Sequence, residues 1–206
     1  DIKLTWALGI AGSHSAGLTE FIWEGAMTKR LHLGRAAANG LESAILAQMG
    51  FTGPTTILEG RFGYLKAVSP TPHPERLTEQ LGIVWQSDNR PIKAYACHAV
   101  TQALVHAVQE FRRTNTIDAK VIKRVVLVTP TSRGESHGEA EDRHQEKEPN
   151  SILGAQYSVP FMVTIALCKD LVNNPITVTE ETIKDPVIRQ LAKRVETRAG
   201  RQSKPG

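Results

Sequence analysis

The chain has 206 residues, 40% hydrophobic and 22% charged, with a formal net charge of +4 and a pI of about 9.2. That is ordinary globular composition, enough for one large domain or two small ones, and no apolar run reaches the ~20 residues of a membrane-spanning helix. Aromatics at 5% and dispersed basic residues also exclude the clustered stripe of a nucleic-acid binder, and fit a small anionic ligand better.

The chain opens at Asp1 with neither an initiator Met nor a basic leader, which reads as a piece of a longer protein. Residues 4–12 are apolar and helix-like, with Gly9 and Gly12 admitting a close neighbour. Residues 13–18 (SHSAGL) are small and polar and predict a break. Residues 19–26 predict a short amphipathic piece with Phe21 and Ile22 on its apolar side. The strongest helical pattern covers 35–49, opening near Gly34, with Leu41 and Ile45 on one stripe. Gly50 and then Gly53-Pro54 stop it, residues 55–60 open another short element, and the prolines at 70, 72 and 74 mark a linker or surface crossing.

The pattern changes after about Asp88. Residues 92–97 predict a strand or an extended lead-in, and 98–113 a helix with Val100, Ala103, Leu104, Ala107, Val108 and Phe111 on one side. The β-branched run VIKRVVLVT (121–129), ending at Pro130, predicts a strand. Residues 132–150 are polar and predict a long loop. Residues 157–171 predict an apolar helix. Residues 179–198 predict a capped helical region with Thr179 as cap, a break at Asp185-Pro186, and Val187, Leu191 and Val195 as a stripe. The expected fold class is mainly α with α+β: a helical part over 1–88, followed by an α+β part over 89–206.

Lys29, Arg30 and His32 precede the expected helix start. Free backbone N–H groups there attract anions, and the cationic side chains suit a carboxylate. Without its neighbours the segment reads as a solvated basic turn with His32 as a satisfied histidine. Lys93 and His98 bracket a short apolar stretch and have the chemistry for proton transfer beside a carboxylate. Taken singly, they read as an exposed lysine and a helix-start histidine. His137 and His144 lie among Glu135, Glu139, Glu141 and Asp142, but their spacing does not set ligands on one helix face. That stretch reads as a solvated loop without metal. No phosphate-binding glycine loop or nucleophile elbow is present. Cys97 and Cys168 read as free thiols of a reducing compartment.

Five blocks carry a resemblance: ALGIAGSHSAGL (7–18), TKRLHLGRAAANG (28–40), GFTGPTTILEGRFG (50–63), IKAYACHAVTQ (92–102) and AQYSVPFMVTIAL (155–167). In order and spacing they resemble the MmgE/PrpD family over nearly the whole chain. The resemblance implies a helical domain and a smaller α+β lid domain, a homodimer, and an inter-domain site for di- or tricarboxylates that works without metal or cofactor. It implies Lys29, Lys93 and His98 as catalytic and His32 as substrate-binding, and Arg30, in the same basic segment, is expected beside them as substrate-binding. It implies a cytoplasmic enzyme, mitochondrial in a eukaryote, with no nucleic-acid or membrane partner.

The expected activity is that of a hydro-lyase on a small hydroxy-polycarboxylate such as 2-methylcitrate. Alternatives are cis-aconitate decarboxylation, iminodisuccinate epimerisation, or an inactive fragment or interaction module whose exposed apolar faces drive association. Decarboxylating members have a tyrosine where Phe161 aligns, and Tyr157, four residues earlier, is no clear substitute. Hence the preference for a hydro-lyase. The family's upstream segment, which bears further aspartate and histidine residues, is expected to precede Asp1.

Overall fold

The computed structural model describes residues 1–129, 144–171 and 178–199. In chain order the described helices are α1 (Ile2–Ser13), α2 (Phe21–Glu24), α3 (Thr28–Gln48), α4 (Tyr64–Val68), α5 (Gln102–Thr114), α6 (Ile152–Tyr157), α7 (Val159–Cys168), α8 (Glu180–Lys184) and α9 (Pro186–Ala192). The strands are β1 (Val125–Thr129) and β2 (Val195–Ala199). The fold is thus mainly α with α+β character. It divides into two compact units: Asp1–Thr19 with Met27–Pro91, and Glu20–Ala26 with the described residues from Ile92 onward.

In the first unit α1 packs along α3. The Asp1 carboxylate accepts from Lys3 N–H and caps α1. The Gly53-Pro54 turn lies against the α1 backbone, since a Cβ on Gly53 would stand 2.3 Å from Trp6 O and one on Gly9 2.3 Å from Pro54 O. Helix α3 begins at Thr28, six residues before the expected start at Gly34. Lys29 to Leu33 are mostly good helix formers, and one interior glycine costs only about 1 kcal/mol, so Gly34 does not interrupt the helix. There is therefore no helix start at Gly34 to hold an anion. The buried side of α3 is also not the expected stripe. Ser43 and Ala47 face inward, while Leu41 and Ile45 are 66% and 49% exposed. Small side chains at those two positions let α1 come close.

The second unit is built around α7, which is apolar on all sides and buried from Val159 through Leu167. Val159, Val163 and Leu167 pack with Leu127, Leu191 and Val195. The opposite side, Phe161, Met162 and Ile165, packs with Val105, Ile183 and Ile188. The apolar stretch expected as one helix over 157–171 is divided at Ser158, whose hydroxyl accepts from Phe161 N–H and caps α7. Pro160, in the first turn, forces that restart.

Strands β1 and β2 pair in parallel, with Val125 opposite Val195 and Thr129 opposite Ala199. Val195 therefore belongs to a strand, and the expected helical stripe ends within α9, where Leu191 is 1% exposed. The partner that makes β2 a strand lies about seventy residues away in sequence, beyond the reach of a local pattern. Residues 92–97 are not a strand, and 94–97 form bends. Of the expected face before and along α5, Val100, Leu104 and Val108 pack half-buried against the core, while Ala103, Ala107 and Phe111 are exposed and Thr101, Val105 and Gln109 are buried instead. No helix among the described residues is long and apolar enough to cross a membrane.

Candidate active site

In the first unit a groove of about 650 Å³ runs between residues 14–17 and α3, with Tyr64 of α4 completing its lining. From α3 it takes His32, Arg35, Ala36, Asn39 and Gly40, whose spacing of three and four makes them one stripe. Gly17 has a φ of +119°, and a Cβ there would stand 3.6 Å from His32 Nδ1. The loop main chain thus lies over the imidazole in a conformation that favours glycine. Arg35 Nη2 donates to Asn39 Oδ1 at 3.1 Å, one turn along the helix. The guanidinium has further N–H groups, enough for a carboxylate. His14, at the end of α1, adds another titratable ring to the lining.

Lys29 is half-buried and lies three residues before His32, on the same face by helical spacing, but it does not line the groove. Arg30 is exposed and sits about 200° around the helix from His32, so α3 does not bring it to the groove. Reading the segment as a turn before the helix missed Arg35 and His14. Arg35 stands three residues after His32, and that spacing was the available signal.

In the second unit Lys93 is exposed and His98 half-buried, on either side of a turn held by Gln102. The Gln102 Oε1 accepts from Ala94 N–H at 3.1 Å and Tyr95 N–H at 3.2 Å, and its Nε2 donates to Tyr95 O at 2.9 Å and Cys97 O at 3.2 Å. Burial pushes the Cys97 thiol up to about 11, with the Lys93 ammonium acting in the opposite direction. Both cysteines are free. His98 N–H donates to Gln156 O at 2.9 Å, and Val100 N–H makes a long contact to His98 Nδ1 at 3.5 Å. With Nδ1 as acceptor, the neutral ring carries its proton on Nε2.

His98 does not stand alone. Its ring centroid lies 4.7 Å from that of His144 and 4.7 Å from that of Tyr157, and the latter two are 6.0 Å apart. Phe21 of α2 meets Tyr157 edge-on at 6.4 Å. His144 is 8% exposed, which corrects the expectation that it lies in a solvated loop. The reason is a set of polar anchors just after it. The Ser158 hydroxyl donates to Glu146 O, Thr197 Oγ1 donates to Gln145 Oε1 at 3.1 Å, and the Glu148 carboxylate meets Arg189 at 3.3 Å and Lys193 at 2.9 Å. His137, Glu135, Glu139, Glu141 and Asp142 lie outside the described residues. Phe161 is wholly buried in the core beside α5. Among the described residues, no group of three or more His, Cys, Asp or Glu side chains is arranged to hold a metal ion.

Residues 2–77 match the MmgE/PrpD N-terminal domain, and residues 95–204 match the MmgE/PrpD C-terminal domain. The chain belongs to the MmgE/PrpD family. Lys29, His32 and Arg35 fall in the first match and His98 in the second, while Lys93 lies two residues before it. This MmgE/PrpD chain is similar to a cis-aconitate decarboxylase of Aspergillus terreus, 29% identical over 78% of the chain and 34% of that protein. It is also similar to the cis-aconitate decarboxylases of Mus musculus and Homo sapiens, each 26% identical over 94% of the chain and 39% of that protein. The chain thus spans between a third and two-fifths of the length of these relatives.

Proposed function

We propose that this MmgE/PrpD chain carries anion-binding and proton-transfer groups of a lyase acting on a small di- or tricarboxylate. The observation that carries this is the stripe of His32 and Arg35 along one groove of α3, within the part that matches the family's N-terminal domain. Guanidinium and imidazole N–H donors recognise a carboxylate by charge-assisted hydrogen bonds. Lys29, on the same helix face, adds positive charge that polarises it.

The reaction we favour is loss of water from a hydroxy-polycarboxylate. Lys93 takes the proton from the carbon next to a carboxylate. The Nε2–H edge of His98 donates a hydrogen bond to the oxygen on which negative charge develops. The hydroxyl then leaves as water, protonated by the ammonium that Lys93 has become. Decarboxylation is the second reading, favoured by the names of the relatives. Against it stands Phe161, which has no hydroxyl and lies in the core.

The test uses the full-length protein with 2-methylcitrate, citrate, cis-aconitate and iminodisuccinate, followed by NMR. Water loss from a hydroxy acid is the expected result, and CO2 release from cis-aconitate establishes the second reading instead. Lys29→Ala and His98→Ala are each expected to lower kcat/KM by about 100-fold. Wild-type turnover in both variants overturns the assignment.

A further inference from the structure

We propose that His14 is a further carboxylate-binding residue of the groove beside α3, and that its imidazole takes up a proton from solvent as the ligand binds. This rests on the groove being the carboxylate site proposed above. One carboxylate is held from α3 by Arg35 and His32, and a second carboxylate of the same ligand is held by His14 at the end of α1. The ligand class is therefore an acid with at least two ionised carboxylates.

The groove has titratable groups on three of its elements: His14 at the end of α1, His32 and Arg35 on α3, and Tyr64 on α4. No Asp or Glu among the described residues lines it, so its field attracts anions. The charged residues on the elements packed around it stand outside the lining. They are Lys29, Arg30 and Glu42 on α3, Lys66 on α4, and Glu59 and Arg61 in the loop that meets Gly12 through Ile57. The His14 N–H donates to Ile10 O at 3.3 Å and to Ala11 O at 3.1 Å, which fixes the main chain at the end of α1. The residue itself is exposed and lines the groove. That end of a helix carries partial negative charge, which repels a carboxylate and favours a cation. A neutral imidazole leaves the repulsion in place. An imidazolium offsets it and offers charge-assisted N–H donors. Arg35 keeps its charge at any working pH, whereas an imidazole gains or loses its charge near neutrality. A polyanion in the groove thus draws a proton onto His14, and affinity rises as pH falls through the imidazole range.

The experiment is isothermal titration calorimetry of the full-length protein with propane-1,2,3-tricarboxylate, which has no hydroxyl to lose as water. Titrations in buffers of different ionisation enthalpy count the protons taken up. His32 and the ligand titrate alike in wild type and in His14→Gln, so the difference between the two belongs to His14. At about pH 7, His14→Gln is expected to take up about half a proton fewer per ligand than wild type. It is expected to bind about 5-fold more weakly near pH 6.5 and within about twofold of wild type near pH 8.5. His14→Lys, a cation throughout, is expected to keep near pH 8.5 the affinity that wild type shows near pH 6.5. Equal proton uptake in wild type and His14→Gln, equal affinity of the two near pH 6.5, or a His14→Lys variant as weak near pH 8.5 as wild type overturns the proposal. Arg35→Ala separates this failure from that of the groove itself. Loss of binding in Arg35→Ala with unchanged binding in His14→Gln sinks the role of His14 and leaves the carboxylate site standing. A wild-type protein that does not bind the tricarboxylate sinks both.

Discussion

Replacing Gln109 by alanine tests whether α5 and α7 are held together by one buried amide. Gln109 is 3% exposed. Its Nε2 donates to Ala166 O at 2.8 Å and to Lys169 O at 3.2 Å, and its Oε1 accepts from Leu171 N–H at 2.9 Å. Two of these partners belong to the C-terminal end of α7 and the residue after it, where a helix has carbonyls without intrahelical partners. Each hydrogen bond contributes about 1 kcal/mol net, and a stranded buried polar group costs about 1–3 kcal/mol. Removing the amide ends three bonds and strands the Leu171 N–H, so Gln109→Ala is expected to cost about 3–5 kcal/mol. Against a total stability of about 5–15 kcal/mol, that is a large fraction. The assay is urea denaturation followed by far-UV circular dichroism. Gln109→Glu is the informative companion. It keeps the shape and the acceptor for Leu171 N–H but sets negative charge against two carbonyls, so it is not expected to rescue. A loss below about 1 kcal/mol in the alanine variant, or full stability in the glutamate variant, refutes the reasoning.

Two further predictions concern packing and pH. Gly53→Ala is expected to cost about 1–3 kcal/mol, because its Cβ would stand 2.3 Å from Trp6 O and 2.9 Å from Ile10 N. Gly34→Ala, with nothing within 4 Å of its Cβ, is expected to stabilise by about 0.5–1 kcal/mol, and a thermal melt of both variants reads the contrast. The Cys97 thiol is raised by burial from 9.0 to about 11. The unfolded chain therefore loses this proton first as pH rises, and the stabilisation present below about pH 9 declines between about 9 and 11. Urea midpoints of wild type that fall no faster with pH than those of Cys97→Ala across that window contradict the assignment.

Much of the fold was legible locally. The all-round apolar run of α7, the Thr179 cap on Thr182 N–H and the restart at Asp185-Pro186 each follow from residues next to one another. The β-branched run around β1 was equally plain, although the strand is shorter than its pattern. Strand β2 was not legible, because VETRA becomes a strand only opposite Val125 to Thr129. Reading Gly34 as a boundary hides the helix start at Thr28. Its backbone cost is smaller than the gain from continuing a helix through Lys29, Arg30 and Leu31.

Of the candidate site residues, His32 and His98 are the two that the structure surrounds with further chemistry, and in both cases the added groups were in view but misjudged. Arg35 opens the helix that the sequence predicts, and three residues from His32 it is the next side chain on the same face. The polar stretch 132–150, with Glu135, Glu139, Glu141 and Asp142 around His137 and His144, predicts a solvated His144. The segment is anchored by the Gln145 amide on Thr197, the Glu146 main-chain carbonyl on Ser158 and the Glu148 carboxylate on Arg189 and Lys193. Gln109 is the same case on α5: a polar residue within an apolar helix face, engaged by main-chain groups about sixty residues on. A polar side chain at an inward position is therefore better read as an anchor awaiting a distant partner than as a gap in a stripe. Applied to α5, that rule adds Gln109, beside Val105, to the face where Leu104 and Val108 already pack, and leaves Ala103 and Ala107 outside it.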